Sequence, residues 1–172
     1  DIGISERDYL EIISAKTAAL FGTCTKIASI IAKTPEDTEE HCYNFGKYFG
    51  MAFQISDDIL DYTGTEQDFG KKQGQDFLEG KITLPVIYAY LDGTPQEKEL
   101  IRTIFKANHD RTQEDFTKIK EILASTNSMK KSFSKAEEYI QIAKEILYTN
   151  LEDCEERYAV SKILDFSIER TS

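Results

Sequence analysis

At four places a serine or threonine standing three residues before an aspartate or glutamate reads as a helix start: Ser5 with Asp8, Thr34 with Asp37, Thr94 with Glu97 and Thr112 with Asp115. Each pair opens a stretch whose apolar residues recur at three-to-four spacing. An N-cap oxygen satisfies an amide that the first helical turn leaves without a partner, and the acid three residues on reaches back to the amide of the cap. Pro35 and Pro95 occupy first helical positions, where a missing N–H costs nothing. The pattern predicts helices over about residues 6–33 and 35–62, with later ones opening near Leu84, Pro95, Glu114, Met129 and Asp153. No sustained two-residue alternation asks for a sheet. The fold class is therefore all-α, a helical bundle. At 40% hydrophobic residues the chain can bury one core and is too short for two comfortable domains, so residues 1–172 are read as a single unit.

Punctuation supports this reading. "DGTP" (92–95) is a helix stop followed at once by a helix start, with Gly93 expected in the left-handed conformation. "TGTEQDFGKKQGQDFLEGK" (63–81), holding four of the nine glycines, is the one long irregular stretch; loops of that length in a compact domain are functional or disordered.

Charge excludes some functions. Asp plus Glu outnumber Lys plus Arg by 31 to 21, which argues against nucleic acid as a partner, although a local cluster of lysines or a metal could still bind a small phosphate. Cys24, Cys42 and Cys154 form no C-x-x-C pair and read as idle thiols of a reducing, cytoplasmic compartment. His41 and His109 are too few for a histidine metal site. No apolar run is long enough to span a bilayer.

The chemistry concentrates in "QISDDILDY" (54–62). On a helix Asp57 and Asp61 lie one turn apart, about 6 Å of rise, on nearly the same face, with Asp58 beside them. Like charges at that spacing repel, so a cation is expected. A D-D-x-x-D array of hard oxygens suits Mg²⁺, which binds through one or two carboxylates together with substrate phosphates. Taken alone, such a patch is equally consistent with solvated helix surface. Gln54, one turn before Asp58, and Lys71 and Lys81 in the following loop favour a phosphate site, because lysine acts as a flexible point charge on phosphate. Lys16, mid-helix in "ISAKTAALF", reads by itself as a side chain snorkelling to solvent. Adjacent and i+4 aspartates within a helix do not make a calcium-binding EF-hand loop.

In order and spacing, "KTAALF" (16–21), "FGMAFQISDDILDYTG" (49–64), "GKKQGQDFLEGKITLPVI" (70–87) and the tail "FSIER" (166–170) resemble the trans-polyprenyl diphosphate synthases. The form of the second and third segments is most like bacterial long-chain, octaprenyl- or decaprenyl-type members that make quinone side chains. The resemblance implies the C-terminal portion of the isoprenoid synthase fold. It also implies a prenyltransferase that condenses isopentenyl diphosphate with an allylic diphosphate such as farnesyl diphosphate by ionisation, condensation and proton elimination. Under it, Asp57, Asp58 and Asp61 match the second aspartate-rich motif, which holds magnesium. Lys16, Lys71 and Lys81 match lysines that contact the diphosphate, and Thr17 and Gln54 match residues beside the allylic cation.

One departure matters. The family's first D-D-x-x-D motif, with the arginines that follow it, has no copy in residues 1–172. The expectation is a C-terminal half, inactive alone, whose uncovered helix faces favour a homo-oligomer or pairing with the missing half. A noncatalytic subunit of a heteromeric synthase is the alternative. A class I terpene cyclase also ionises diphosphates, but the lysine-bearing loop argues against it.

Overall fold

The computed structural model describes residues 2–63, 73–106 and 110–169, which form helices and no strand. Helix α1 (Glu6–Ile13) runs through a π-helical turn (Ser14–Ala18) into α2 (Ala19–Ile31); α3 (Glu36–Thr63) is the longest. A short α4 (Gln75–Leu78) precedes α5 (Leu84–Asp92), α6 (Pro95–Ile104), α7 (Gln113–Ser125), α8 (Ser128–Asn150) and α9 (Glu155–Glu169).

Three of the four expected capping boxes form. The Ser5 amide donates to Asp8 Oδ2 at 2.9 Å while the Asp8 amide donates to Ser5 Oγ at 3.2 Å. Reciprocal bonds of the same kind join Thr94 with Glu97 and Thr112 with Asp115. The fourth expectation is corrected. Thr34 turns its hydroxyl back onto the Ser29 carbonyl, 3.2 Å away at the end of α2, and α3 opens with the Thr38 and Glu39 amides on the Pro35 carbonyl. The Ser29 carbonyl, which also accepts the Thr34 amide at 3.2 Å, competed for the hydroxyl and won. Replacing Thr94 by Ala is expected to cost about 1 kcal/mol, read as a lower denaturant midpoint at constant slope.

Two other expectations change. Gly93 has φ −66°, ψ 158°, an extended conformation; a side chain there would put its Cβ 2.8 Å from the Ala89 carbonyl, so close approach, not handedness, calls for glycine. The stretch 63–81 is not irregular throughout, since α4 forms within it, entered through Gly74 in the left-handed region at φ 81°. Lys71 and His109 lie outside the described residues.

The chain packs as two units. The first comprises residues up to Tyr9 with Asp57–Phe133. Its core gathers Tyr62, Phe77, Val86, Ile101, Phe116 and Ile119, and Phe77 sits edge-on to Phe105 with ring centroids 5.7 Å apart. Helix α5 is apolar nearly all round, and Leu84 to Ala89 are all buried, as such a helix requires.

The second unit comprises Leu10–Ser56 with residues 134–169, and centres on Ala52, Ile140, Ala143, Leu147 and Leu164. Here α3 meets α2 closely through Gly46 and Gly50: a Cβ on Gly46 would stand 2.5 Å from the Phe21 carbonyl, and one on Gly50 2.7 Å from the Ala18 Cα. The "GKYFG" spacing thus serves tight packing of helices. Among the described residues, no helix is long and apolar enough to cross a membrane.

Candidate active site

Helix α3 carries the three aspartates, and the fold gives each a different environment. Asp57 is exposed. Asp58 is only 4% exposed, and its Oδ2 accepts a 2.7 Å hydrogen bond from the Tyr9 hydroxyl on α1. Asp61 is half-buried, and its Oδ2 accepts from the amides of Asp76 at 3.1 Å and Phe77 at 3.4 Å, in the first turn of α4.

The acid therefore anchors the return of the chain, a role reinforced by the Gly74 amide on the Asp61 carbonyl at 2.9 Å. Burial raises the Asp61 carboxyl above the usual range, and the α4 amides oppose that rise. The Tyr9 hydroxyl is pushed well up, first by burial and then by the charge of Asp58, so it remains the donor of their bond.

Lys81 follows α4 and pairs with Asp76 at 2.6 Å and Glu79 at 2.8 Å. Its hydrogen bond to Asp76, then that to Glu79, hold the ammonium above the ordinary lysine range, so it is charged at any physiological pH. Half-exposed, it can exchange these partners for an incoming phosphate at little cost, because exposed ion pairs are weak.

In the second unit, the π-helical turn presents Lys16 exposed and Thr17 half-buried, and Thr17 Oγ1 donates to Gln54 Oε1 at 2.7 Å. Single π turns inside α-helices are frequent at functional sites. Phe21 packs its ring 5.4 Å from Phe49 and 5.3 Å from Phe53, an aromatic group on the residue next to Gln54.

The sequence-derived residues thus fall into two sets. Asp57, Asp58, Asp61 and Lys81 belong to the first unit, and Lys16, Thr17 and Gln54 to the second, with α3 contributing to both. Tyr9 and Asp76 were not singled out from sequence as site residues. The signal for Tyr9 was its place on the apolar face of α1, since a buried tyrosine hydroxyl needs a partner.

The donors suit magnesium. They are hard carboxylate oxygens, and among the described residues no group of three or more His, Cys, Asp or Glu is gathered closely enough to hold a metal unaided.

The described residues are all-helical, with an aspartate-bearing helix whose return is fixed by its own acid, and the solved structures they match are polyprenyl synthases of the all-α isoprenoid synthase fold. The chain belongs to the polyprenyl synthetase family, whose model matches residues 1–123. It is 38% identical over 143 residues to heptaprenyl diphosphate synthase component 2 of Bacillus subtilis, covering 83% of this chain and 40% of that one. Over 111 residues it is 38% identical to octaprenyl diphosphate synthase of Escherichia coli, covering 64% of this chain and 34% of that one. The solved structure of a polyprenyl synthase from Caulobacter crescentus, complexed with calcium and isoprenyl diphosphate, matches it at TM-score 0.90 and 33% identity, over 100% of this chain and 52% of that one. The chain spans about half the length, or less, of the curated relatives it matches.

Proposed function

We propose that this chain is the C-terminal part of a magnesium-dependent prenyltransferase that extends an allylic diphosphate, such as farnesyl diphosphate, with isopentenyl diphosphate to a long-chain trans-polyprenyl diphosphate. A product of that kind suits a quinone side chain. The observation that carries the reading is the acid helix. Asp57 is exposed, Asp61 one turn on is held by α4, and charged Lys81 stands on the same return.

In this reading Asp57, Asp58 and Asp61 hold the metal. When bound, magnesium neutralises the charge that develops on the departing diphosphate. Lys81, Lys16 and Lys71 bind the oxygens of that diphosphate. The Thr17 hydroxyl, fixed by its bond to Gln54, and the Gln54 amide orient their dipoles toward positive charge on the allylic carbon, where preorganised dipoles are most effective. Phe21, Phe49 and Phe53 keep water from that carbon.

Partners follow from surface. Ile12, Leu20, Ile27 and Ile31 are exposed along α1 and α2, Leu20 at 66% and Ile31 at 75%. Exposed apolar stripes of this kind mark association surfaces, so a second copy or the remaining half of the enzyme is the expected occupant. A second reading, a noncatalytic subunit of a heteromeric synthase, draws on the relative named as component 2.

The test is condensation: the chain with labelled isopentenyl diphosphate, farnesyl diphosphate and Mg²⁺, alone and with the N-terminal half of a long-chain relative. Product only in the mixture, lost with Asp57→Asn, supports a shared active site. If product from the mixture survives that substitution, the subunit reading holds; if the mixture yields none, the prenyltransferase reading fails.

A further inference from the structure

We infer that Tyr9 is a positioning residue for the acid motif of α3, acting through Asp58. The inference rests on the reading of that motif as a magnesium–diphosphate site.

Tyr9 and Asp58 are each 4% exposed, and their 2.7 Å bond joins residues 49 apart in the chain. A carboxylate in such a setting is costly unless hydrogen-bonded. The hydroxyl therefore fixes the rotamer of Asp58 and keeps its negative charge adjacent in sequence to exposed Asp57. Partners one shell behind a metal ligand characteristically tune how well the ligand set binds, even though they never touch the ion.

The placement of Tyr9 does not depend on this bond alone. The capping box at Ser5 and Asp8 starts α1, and the Tyr88 hydroxyl of α5 donates to Glu6 at 2.9 Å on the first turn of the same helix. Two tyrosine–carboxylate bonds thus tie Glu6 and Tyr9, at the start of α1, to the rest of the first unit, and of these the Tyr9 bond reaches the acid motif. That asymmetry separates positioning from simple attachment.

The experiment is calorimetric titration of the full chain with inorganic pyrophosphate in the presence of Mg²⁺, with thermal unfolding recorded in parallel. Tyr9→Phe is expected to weaken binding by about tenfold or more. Tyr88→Phe, which removes the other bond from α1, is expected to change it by less than about twofold, while both variants lose comparable thermal stability. Asp58→Asn guards against a Tyr9 variant that does not fold: it keeps an acceptor for the hydroxyl, removes the charge, and is expected to weaken binding as much.

Equal weakening in the two tyrosine variants, or wild-type affinity in a folded Tyr9→Phe, overturns the inference and leaves the site reading intact. Absence of magnesium-dependent pyrophosphate binding by the wild-type chain overturns both.

Discussion

Asp57→Asn is expected to weaken magnesium-dependent pyrophosphate binding by about a hundredfold or more, and to leave the unfolding midpoint within about 2 °C of wild type. The side chain is exposed, so the isosteric amide disturbs no packing, and surface changes of this sort stay within about 0.5 kcal/mol. What is lost is a hard anionic donor for a small dication, which an amide oxygen does not replace. Asp61→Asn should behave differently. It weakens binding too, but it also weakens the acceptor that the Asp76 and Phe77 amides share, and α4 loosens with it. Hydrogen bonds to a charged group contribute about 1.5–3 kcal/mol, so the midpoint falls along with the affinity. Calorimetry and thermal unfolding on both variants separate the two roles. Wild-type affinity in Asp57→Asn would sink the magnesium assignment outright.

The difference between those two aspartates marks the limit of what the sequence discloses. Helices were legible because their starting signals are local: Ser5, Thr94 and Thr112 each find their acid three residues on. Thr34 carries the same signal and fails, because the end of α2 offers a competing carbonyl that a four-residue window does not contain. The π turn at Ser14–Ala18 leaves no trace in composition, since it shifts a hydrogen-bond register without changing which residues are apolar.

The D-D-x-x-D spacing placed three acids on one stretch of helix, yet their separate fates depend on partners far along the chain. Tyr9, 49 residues away, takes Asp58, and the α4 amides, 15 and 16 residues on, take Asp61. The Thr17–Gln54 bond, by contrast, joins two residues that sequence had already paired by role. Lys81 was expected to meet phosphate; in the structure the same loop supplies the anions that hold it, Asp76 and Glu79.

The largest effect on stability is expected from Gly46 and Gly50. On an exposed helix, glycine to alanine gains up to about 1 kcal/mol from propensity. Here that gain is opposed by contacts that cannot give way. The new Cβ at position 46 would stand 2.3 Å from Thr25 Oγ1 and 2.5 Å from the Phe21 carbonyl, and at position 50 it would stand 2.7 Å from the Ala18 Cα. Two of these three atoms are backbone, so relief requires α2 and α3 to move apart. Overpacking of this kind costs about 1–3 kcal/mol per site and sometimes more. Gly46→Ala with Gly50→Ala should therefore lose several kcal/mol net of propensity, read as a lower urea midpoint. The two positions share Phe21 and are not expected to add independently.

The same displacement carries the π turn away from α3 and lengthens the 2.7 Å bond between Thr17 and Gln54, so the stability loss should come with a loss of dipole alignment at that pair. A double variant as stable as wild type would mean that the close crossing of α2 and α3 is not what these glycines serve. The spacing of "GKYFG" would then need another cause.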